Sequence, residues 1–509
     1  MQQSSQVSGA SGTLCGSVRR ATPRGGWSAV ARRAGAGLVL AMALAGGIVQ
    51  LGGCAGGGGG EVVSTPLTPD ERAKQVASFD EIWTTVNEQH WDPNLGGVDW
   101  EGAKRELRPR VEAAATLEEA RAAMEALIER LGLSHFGLVP GEAVSAMREA
   151  QRSAGREDDG SAKSTDGESG LTLRVIGGDV LAVSVREGSP AARAGVAPGW
   201  SLVRVGEADV PALLAKLQAA SGTHSDSHES SSGMGAIGLN RRVSSLIDGP
   251  AGRPLRLRWL DLSNRTRETS FELAPSDARM VSMVASLPDM PLRLESKTLP
   301  SGVGYIALSL FADPAFVMGE FGRAMRTFRE APGVIIDLRG NPGGIGAMAM
   351  GMGGWFVSDE SKRLGVMRTR EGELKFFLNP RGGKAFAGRV AVLVDEMSAS
   401  TSEIFAGGMQ DLGLARVFGT RSAGAALPST FKTLANGDQL QFAFATYTST
   451  GGRVLEGNGV VPDQVVVPTR QNLRSGRDPV VAAAEAWVLA GAGGAGSATG
   501  AATGLGTWR

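Results

Sequence analysis

The sequence predicts an α/β protein in three parts, a helical segment, a mostly-β segment and a larger α/β core, and three patterns predict it. Between residues 70 and 131 apolar side chains recur every three or four positions, the period of helices that bury one face. From Gly170 the texture changes to short runs such as Leu171 to Val175 and Val180 to Val185, which read as strands. Beyond Tyr305, apolar runs such as Val334-Ile335-Ile336 and Val392-Leu393-Val394 alternate with helical patterns, and the runs read as buried strands.

Ahead of these parts, Arg19, Arg20, Arg24, Arg32 and Arg33 precede an apolar run from Leu38 to Val49, which Leu51-Gly52-Gly53-Cys54 follows. This resembles a bacterial lipoprotein signal with its lipobox, and implies export and lipidation of Cys54, anchoring the chain to the membrane. The run is short for a transmembrane helix, and the Gly-rich stretch 55–69 reads as a tether. Cys15 and Cys54 are the only cysteines; with the first cleaved away and the second modified, no disulfide, thiolate metal cluster or cysteine nucleophile is expected. The 52 basic and 52 acidic side chains balance, so no net field draws the chain to nucleic acid.

The helical cap is expected over residues 70–144. Val76, Phe79, Trp83, Val86 and His90 share one face, which makes His90 a packing residue. A second helix is expected from Trp100 to Ala114. A third, from Leu117 to Leu131, has Thr116 as its N-cap. In Leu131-Gly132-Leu133-Ser134-His135-Phe136-Gly137, glycines flank a Ser-His pair, a turn that presents the imidazole at a surface or cleft. The stretch misses the G-x-S-x-G elbow, so Ser134 is not read as a nucleophile. Residues 145–169 are polar and read as a linker.

Residues 170–275 form the β segment, with further strands at Ser201 to Val205 and Leu255 to Trp259. Its Gly188-Ser189-Pro190-Ala191-Ala192-Arg193-Ala194-Gly195-Val196-Ala197-Pro198-Gly199 string resembles a PDZ domain. Gly170-Leu171-Thr172-Leu173 looks like that family's carboxylate-binding loop, where backbone N–H groups capture a peptide C-terminus. A Ser-rich insertion, 221–238, reads as a mobile loop; its His224 and His228 have a spacing that suits a metal, but the segment is too polar to favour that reading.

In the core, 276–489, a strand is expected from Tyr305 to Phe311 and a helix from Pro314 to Glu330. The buried run Val334 to Asp337 leads into Leu338-Arg339-Gly340-Asn341-Pro342-Gly343-Gly344, where glycines let the backbone turn its amides toward a charge. Gly344-Ile345-Gly346-Ala347-Met348-Ala349 also has a dinucleotide-fingerprint reading. It is weak, because the glycines come well after the strand and no ribose-binding acid follows. The stretch Val392 to Asp411 reads as strand, turn and helix, with Ser400 at the helix start. Ser400 either caps that helix, in a capping box with Glu403, or is a nucleophile whose oxyanion meets the free amides of the helix N-terminus. A hairpin around Asn436-Gly437 and a last helix from Pro479 to Leu489 follow, and the Gly/Ala-rich tail 490–509 reads as disordered.

Ala399-Ser400-Thr401-Ser402-Glu403 after a strand, Asp337-Leu338-Arg339-Gly340-Asn341-Pro342-Gly343-Gly344 before it and the PDZ-like string upstream together resemble the C-terminal-processing, or tail-specific, serine peptidases, a family that includes the tricorn core protease. The resemblance implies a ClpP/crotonase-like α/β catalytic core with a helical cap and an inserted PDZ domain. It aligns Ser400 with the nucleophile, and Thr401 with the Gly343-Gly344 turn as the oxyanion hole. Many members use a lysine base in a Gly-Lys-Gly turn, and here Ala425 stands in that place; Lys432, further on, is not accepted as a substitute. The tricorn-like branch uses a Ser-His tetrad instead, which matches Ser134-His135 and Glu456, so His135 becomes the base and Ser134 and Glu456 its orienting groups.

The function implied is an envelope serine endopeptidase that cleaves unfolded or C-terminally exposed protein segments, with no metal or cofactor. Its partners are proteins or peptides with accessible C-termini. The alternative, which Ala425 suggests, is a catalytically inactive PDZ-containing peptide-binding scaffold of the same fold.

Overall fold

The computed structural model describes residues 66–153, 167–222 and 231–492. The expected signal with Cys54, most of the tether, His224, His228 and the tail beyond Ala492 lie outside the described residues.

Three helices open the cap: α1 (Pro69–Gln89), α2 (Trp100–Ala113) and α3 (Leu117–Glu129). Each starts at a side chain that caps it, Thr68, Asp99 and Thr116, as the sequence leads one to expect of a free helix N-terminus. His90 ends α1 and stacks on Trp91 with ring centroids 3.9 Å apart. The chain then forms β1 (Gly137–Val139) and α4 (Gly141–Ser153). The expected linker 145–169 is therefore helical in its first part. Its polar composition belongs to a helix in which Val144 is the buried residue among 141–149, so the apolar stripe is too thin to read.

The β domain holds β2 (Leu171–Ile176), β3 (Asp179–Val185), β4 (Ser201–Val205), α5 (Val210–Gly222), α6 (Ser231–Ser245), β5 (Pro254–Leu260) and β6 (Thr266–Glu272). Its sheet runs β2-β3-β4-β5-β6. Here too the sequence reading needs correction, since residues 231–238 of the expected loop open α6. Ile237, Asn240, Val243 and Ile247 are buried at helical spacing, a stripe that becomes visible only when read past Gly238.

The core contains β7 (Leu294–Thr298), β8 (Gly304–Leu308), α7 (Pro314–Thr327), β9 (Gly333–Asp337), α8 (Gly346–Gly353), β10 (Arg363–Thr369), β11 (Glu373–Phe377), β12 (Arg389–Val394), α9 (Thr401–Asp411), β13 (Arg416–Gly419), β14 (Ser429–Thr433), β15 (Gln439–Ala443), β16 (Ala445–Ser449), β17 (Gln464–Val465) and α10 (Pro479–Ala492). The central sheet runs β7-β8-β9-β12-β13-β17, parallel from β8 onward. Its strands alternate between two apolar clusters: Val334, Ile336, Val392 and Val394 pack with α7, α8 and α9, while Ile335, Ala391 and Leu393 pack with α10. That two-sided burial explains the unbroken apolar runs.

The cap joins the core through a shared apolar cluster, in which Phe79, Leu127, Phe136 and Leu138 meet Leu427, Leu440 and Phe442. β1 also pairs with β15, and Arg121 reaches the fully buried Asp438, Nη2 to Oδ1, at 2.6 Å.

Candidate active site

Ser400 ends the turn that follows β12 and precedes α9. Its backbone is at φ 56°, ψ −117°, a region that costs a non-glycine residue free energy and persists only where its surroundings impose it. They do so here from both sides. Ala399 N and Ser402 Oγ donate to Asn341 O at 3.1 and 2.9 Å, Thr401 Oγ1 donates to Gly344 O at 2.8 Å, and Ser398 Oγ donates to Leu338 O at 2.8 Å. The Ser400 turn is thereby stapled to the Leu338–Gly344 turn. At Gly343, whose φ is +103°, a Cβ would stand 2.7 Å from Ser400 Cβ, so glycine is needed for the close approach.

The capping-box reading of Ser400 is half right. Ser400 N donates to Glu403 Oε2 at 3.0 Å, but Ser400 Oγ is buried and has no hydrogen-bond partner among the described residues. Its hydroxyl is not spent on the helix. The Gly343 amide does not fit the oxyanion role expected of it, because it donates to Asn341 Oδ1 at 2.8 Å. Asn341 side-chain geometry thus removes one candidate donor. The amides of Gly344 and Thr401 carry no such bond among the described residues.

His135, also at positive φ, is 1% exposed. Its Nδ1 lies 2.7 Å from Ser134 Oγ, which donates to Glu456 Oε2 at 2.8 Å, and Ser134 N donates to Glu456 Oε1 at 2.8 Å. The tautomer follows from counting protons. Ser134 has one, given to the carboxylate, so the bond to the ring is donated by Nδ1–H. Nε2 is left with its lone pair, and it too is buried without a partner among the described residues. Burial, with no countercharge, pushes the imidazole down to about 3, so the ring is neutral near pH 7. Burial also raises the Glu456 carboxyl, while N–H groups of Ser134, Ala426 and Leu427 and the Ser134 hydroxyl oppose that rise.

Two residues join these halves. Ser400 N donates to Ala425 O at 2.7 Å, and Ala426 N donates to Glu456 Oε2 at 3.0 Å. Ser400 Oγ and His135 Nε2 are not hydrogen-bonded to each other. Ala425 is fully buried, and Ile237 of α6 packs in one apolar cluster with Ala399, Ala423 and Ala425. Lys432 is committed elsewhere, its Nζ 2.9 Å from Thr85 Oγ1 on α1.

Residues 302–466, which include Ser400 and Glu456, match the family description Peptidase family S41, and residues 72–128 match the Tricorn protease C1 domain. The chain carries a family S41 peptidase domain. Among its relatives are the carboxy-terminal processing protease CtpB of Bacillus subtilis, 24% identical over 296 residues covering 58% of this chain and 54% of that one. The putative tricorn protease homolog 2 of Streptomyces coelicolor is 25% identical over 424 residues, 81% of this chain and 32% of that one. These matches span about half or less of the relatives' own lengths. Mature CPAF, solved in complex with lactacystin, shares the fold, with a TM-score of 0.52 at 13% identity over 83% of this chain and 99% of that one.

In this S41 domain one residue does more than its sequence position announces. Glu403 is fully buried and accepts hydrogen bonds from Ser400 N, Ser422 Oγ at 2.6 Å, Gly424 N at 2.7 Å and Ala425 N at 2.9 Å. Burial pushes its carboxyl up to about 7, against the pull of those donors. It fixes the Ser422–Ala425 turn to the helix that follows Ser400. The S-x-x-E spacing signals its first bond, and nothing in the sequence signals the other three. Of the peptide-binding candidates, Leu171, Thr172 and Leu173 lie on β2, and Gly170 precedes it at φ +78° against the side chain of Ser189.

Proposed function

We propose that the chain is a serine endopeptidase of the cell envelope that cleaves unfolded or C-terminally exposed protein segments. Ser400 is its nucleophile and His135 its general base. The observation that carries this reading is a buried serine hydroxyl and a buried imidazole nitrogen, both without partners among the described residues, with a Glu456–Ser134 relay fixing the tautomer that leaves Nε2 able to take a proton. A hydroxyl is a poor nucleophile until a base accepts its proton. As Ser400 Oγ attacks a substrate carbonyl, Nε2 takes the proton, and the imidazolium that forms is stabilised through Ser134 by the Glu456 carboxylate. The amides of Gly344 and Thr401, with the N-terminus of α9, receive the oxyanion. His135 then returns the proton to the leaving amine, and water hydrolyses the acyl-enzyme by the same steps. The β domain, read as PDZ-like, offers the edge of β2 to an extended peptide, and Cys54 carries the lipid anchor that holds the enzyme at the membrane.

Because Ser400 and His135 are both covered, the reaction requires substrate to displace what covers them. The buried Ala425 supports the second reading, an inactive peptide-binding scaffold, since the lysine of many relatives has no counterpart there. A fluorophosphonate probe separates the two. Labelling of the full chain that disappears in Ser400→Ala and drops at least about 100-fold in rate in His135→Ala is expected for the enzyme. A folded chain that neither labels nor cleaves an unfolded protein substrate is the scaffold.

A further inference from the structure

β2 is the edge strand of the β-domain sheet. β3 pairs with one side of it, and no strand pairs with the other among the described residues. α6 packs alongside that open edge. There Val175 N–H donates to Asn240 Oδ1 at 2.9 Å, and Asn240 Nδ2 donates to Ala236 O, one turn back on α6, at 2.9 Å. Asn240 is 3% exposed.

Asparagine is a weak helix former, and burying its amide is costly unless both ends are bonded. Here both are, and the oxygen stands at a particular place. Alternate residues of an edge strand turn their N–H and C=O groups outward, and an added strand meets those groups with its own backbone. Asn240 Oδ1 occupies the position of an incoming carbonyl. Beside it a cavity of about 670 Å³ opens between the β domain and the core, bordered by Thr172, Arg174 and Leu239 and, from the core, by Lys297 and Arg339. Arg174 and Arg339 there are paired with Asp395 and with Asp337 and Asp478, so the backbone edge of β2, and not a free charge, is what the cavity offers an incoming segment.

We propose that Asn240 is a built-in competitor for the strand-addition edge of β2, and that it sets the affinity of the β domain for extended polypeptide. The proposal rests on the reading of that domain as a peptide binder and deepens it. A ligand must replace the Asn240 oxygen at Val175 N–H with a carbonyl of its own. An extended backbone does this while also meeting the other outward N–H and C=O groups of β2. The exchange swaps one hydrogen bond for another, so each binding event forgoes the contribution of the Asn240 bond.

The test measures fluorescence anisotropy of a fluorescein-labelled Ser-Val-Ser-Val-Ser-Val hexapeptide with a free C-terminus, on the full chain carrying Ser400→Ala to prevent turnover. Adding Asn240→Ala is expected to tighten binding by about three- to tenfold, the range that a neutral hydrogen bond gives. Asn240→Asp, which keeps an acceptor oxygen at the same place, is expected to bind no more tightly than the asparagine chain. If Asn240→Ala does not keep its circular dichroism spectrum, Asn240→Leu, of similar volume and without an acceptor, takes its place with the same expected gain. Binding that is equal with and without the acceptor overturns the inference and leaves the peptide-binding reading standing. Failure of every chain to bind the hexapeptide removes that reading, and the inference with it.

Discussion

The two attachments of the core differ in kind. The cap is joined to it by an apolar cluster that both parts build, by the pairing of β1 with β15 and by a buried ion pair, Arg121 with Asp438. The β domain is joined by a much smaller apolar contact, Ile237 against Ala399, Ala423 and Ala425, and by polar contacts beside a cavity of about 670 Å³. Arg174 Nη2 stands 2.9 Å from Asp395 Oδ2, and Arg470 Nη1 reaches Asn264 Oδ1 at 2.7 Å. Apolar burial is proportional to area and cannot be exchanged piecemeal for water, whereas a polar contact can be traded for solvent or ligand at small net cost. The cap therefore belongs to the folding unit that carries Ser400, while the β domain is held mainly by contacts that exchange more readily with solvent.

The largest effect is expected where the cap meets the core. Arg121→Ala leaves the fully buried Asp438 carboxylate without its cation, with only the neutral donors Gly141 N and Asn436 Nδ2 at 2.9 Å each among the described residues, and should cost about 3 kcal/mol because the site is closed to water, read as a lower urea midpoint for the whole chain. A separate early unfolding step for the cap, with the core transition unmoved, would break the comparison.

A smaller effect comes from the His135 imidazole buried at that junction. The unfolded chain protonates His135 at its ordinary value, whereas the folded chain holds it down to about 3. The unfolded state therefore binds more protons between those values, so this contribution to stability is complete above about pH 6.5 and is lost as pH falls toward 3, at about 1.4 kcal/mol per pH unit. His135→Asn removes the term. Its urea-derived stability should fall by about 2 kcal/mol less than that of the unsubstituted chain between pH 6.5 and pH 5.

The smallest effect is expected at the β domain. Asp395 also accepts from Gly340 N at 2.8 Å and Met397 N at 3.1 Å, so Arg174→Ala leaves it partly satisfied beside a cavity open to water. A cost of about 1 kcal/mol is expected, with faster amide exchange in the β domain and none of that change in the cap. A loss as large as that of Arg121→Ala would erase the distinction between the two attachments.

What the sequence disclosed, it disclosed through local pattern. Both-sided burial shows in the runs Val334 to Ile336 and Val392 to Val394, and the position of Ser400 between a strand and a helix follows from period and turn chemistry alone. Ser134, His135 and Glu456 could be singled out through resemblance, and the folded chain brings the three together. What stayed hidden depends on pairs far apart in sequence, or on which of several donors a side chain chooses. Arg121 and Asp438 are 317 positions apart. Glu403 collects donors from the Ser422–Ala425 turn, and Asn341 takes the Gly343 amide, choices fixed only when the two turns meet. α4 and α6 were obscured for a plainer reason, since a helix with a thin apolar stripe and many serines or charges has the composition of a loop.

The three-residue strand β1 begins two residues beyond His135 and is held by a ladder that sets Gly137 opposite Gln441, Leu138 opposite Leu440 and Val139 opposite Gln439. Side chains on a strand alternate between faces, so a slip of one residue turns all of them over. The ladder therefore works as an index mark: it fixes how far along the core the preceding turn halts, and with it the height at which the imidazole stands. A change of one residue between Phe136 and Gly137 would leave every functional group in the molecule and still put the ring in the wrong place.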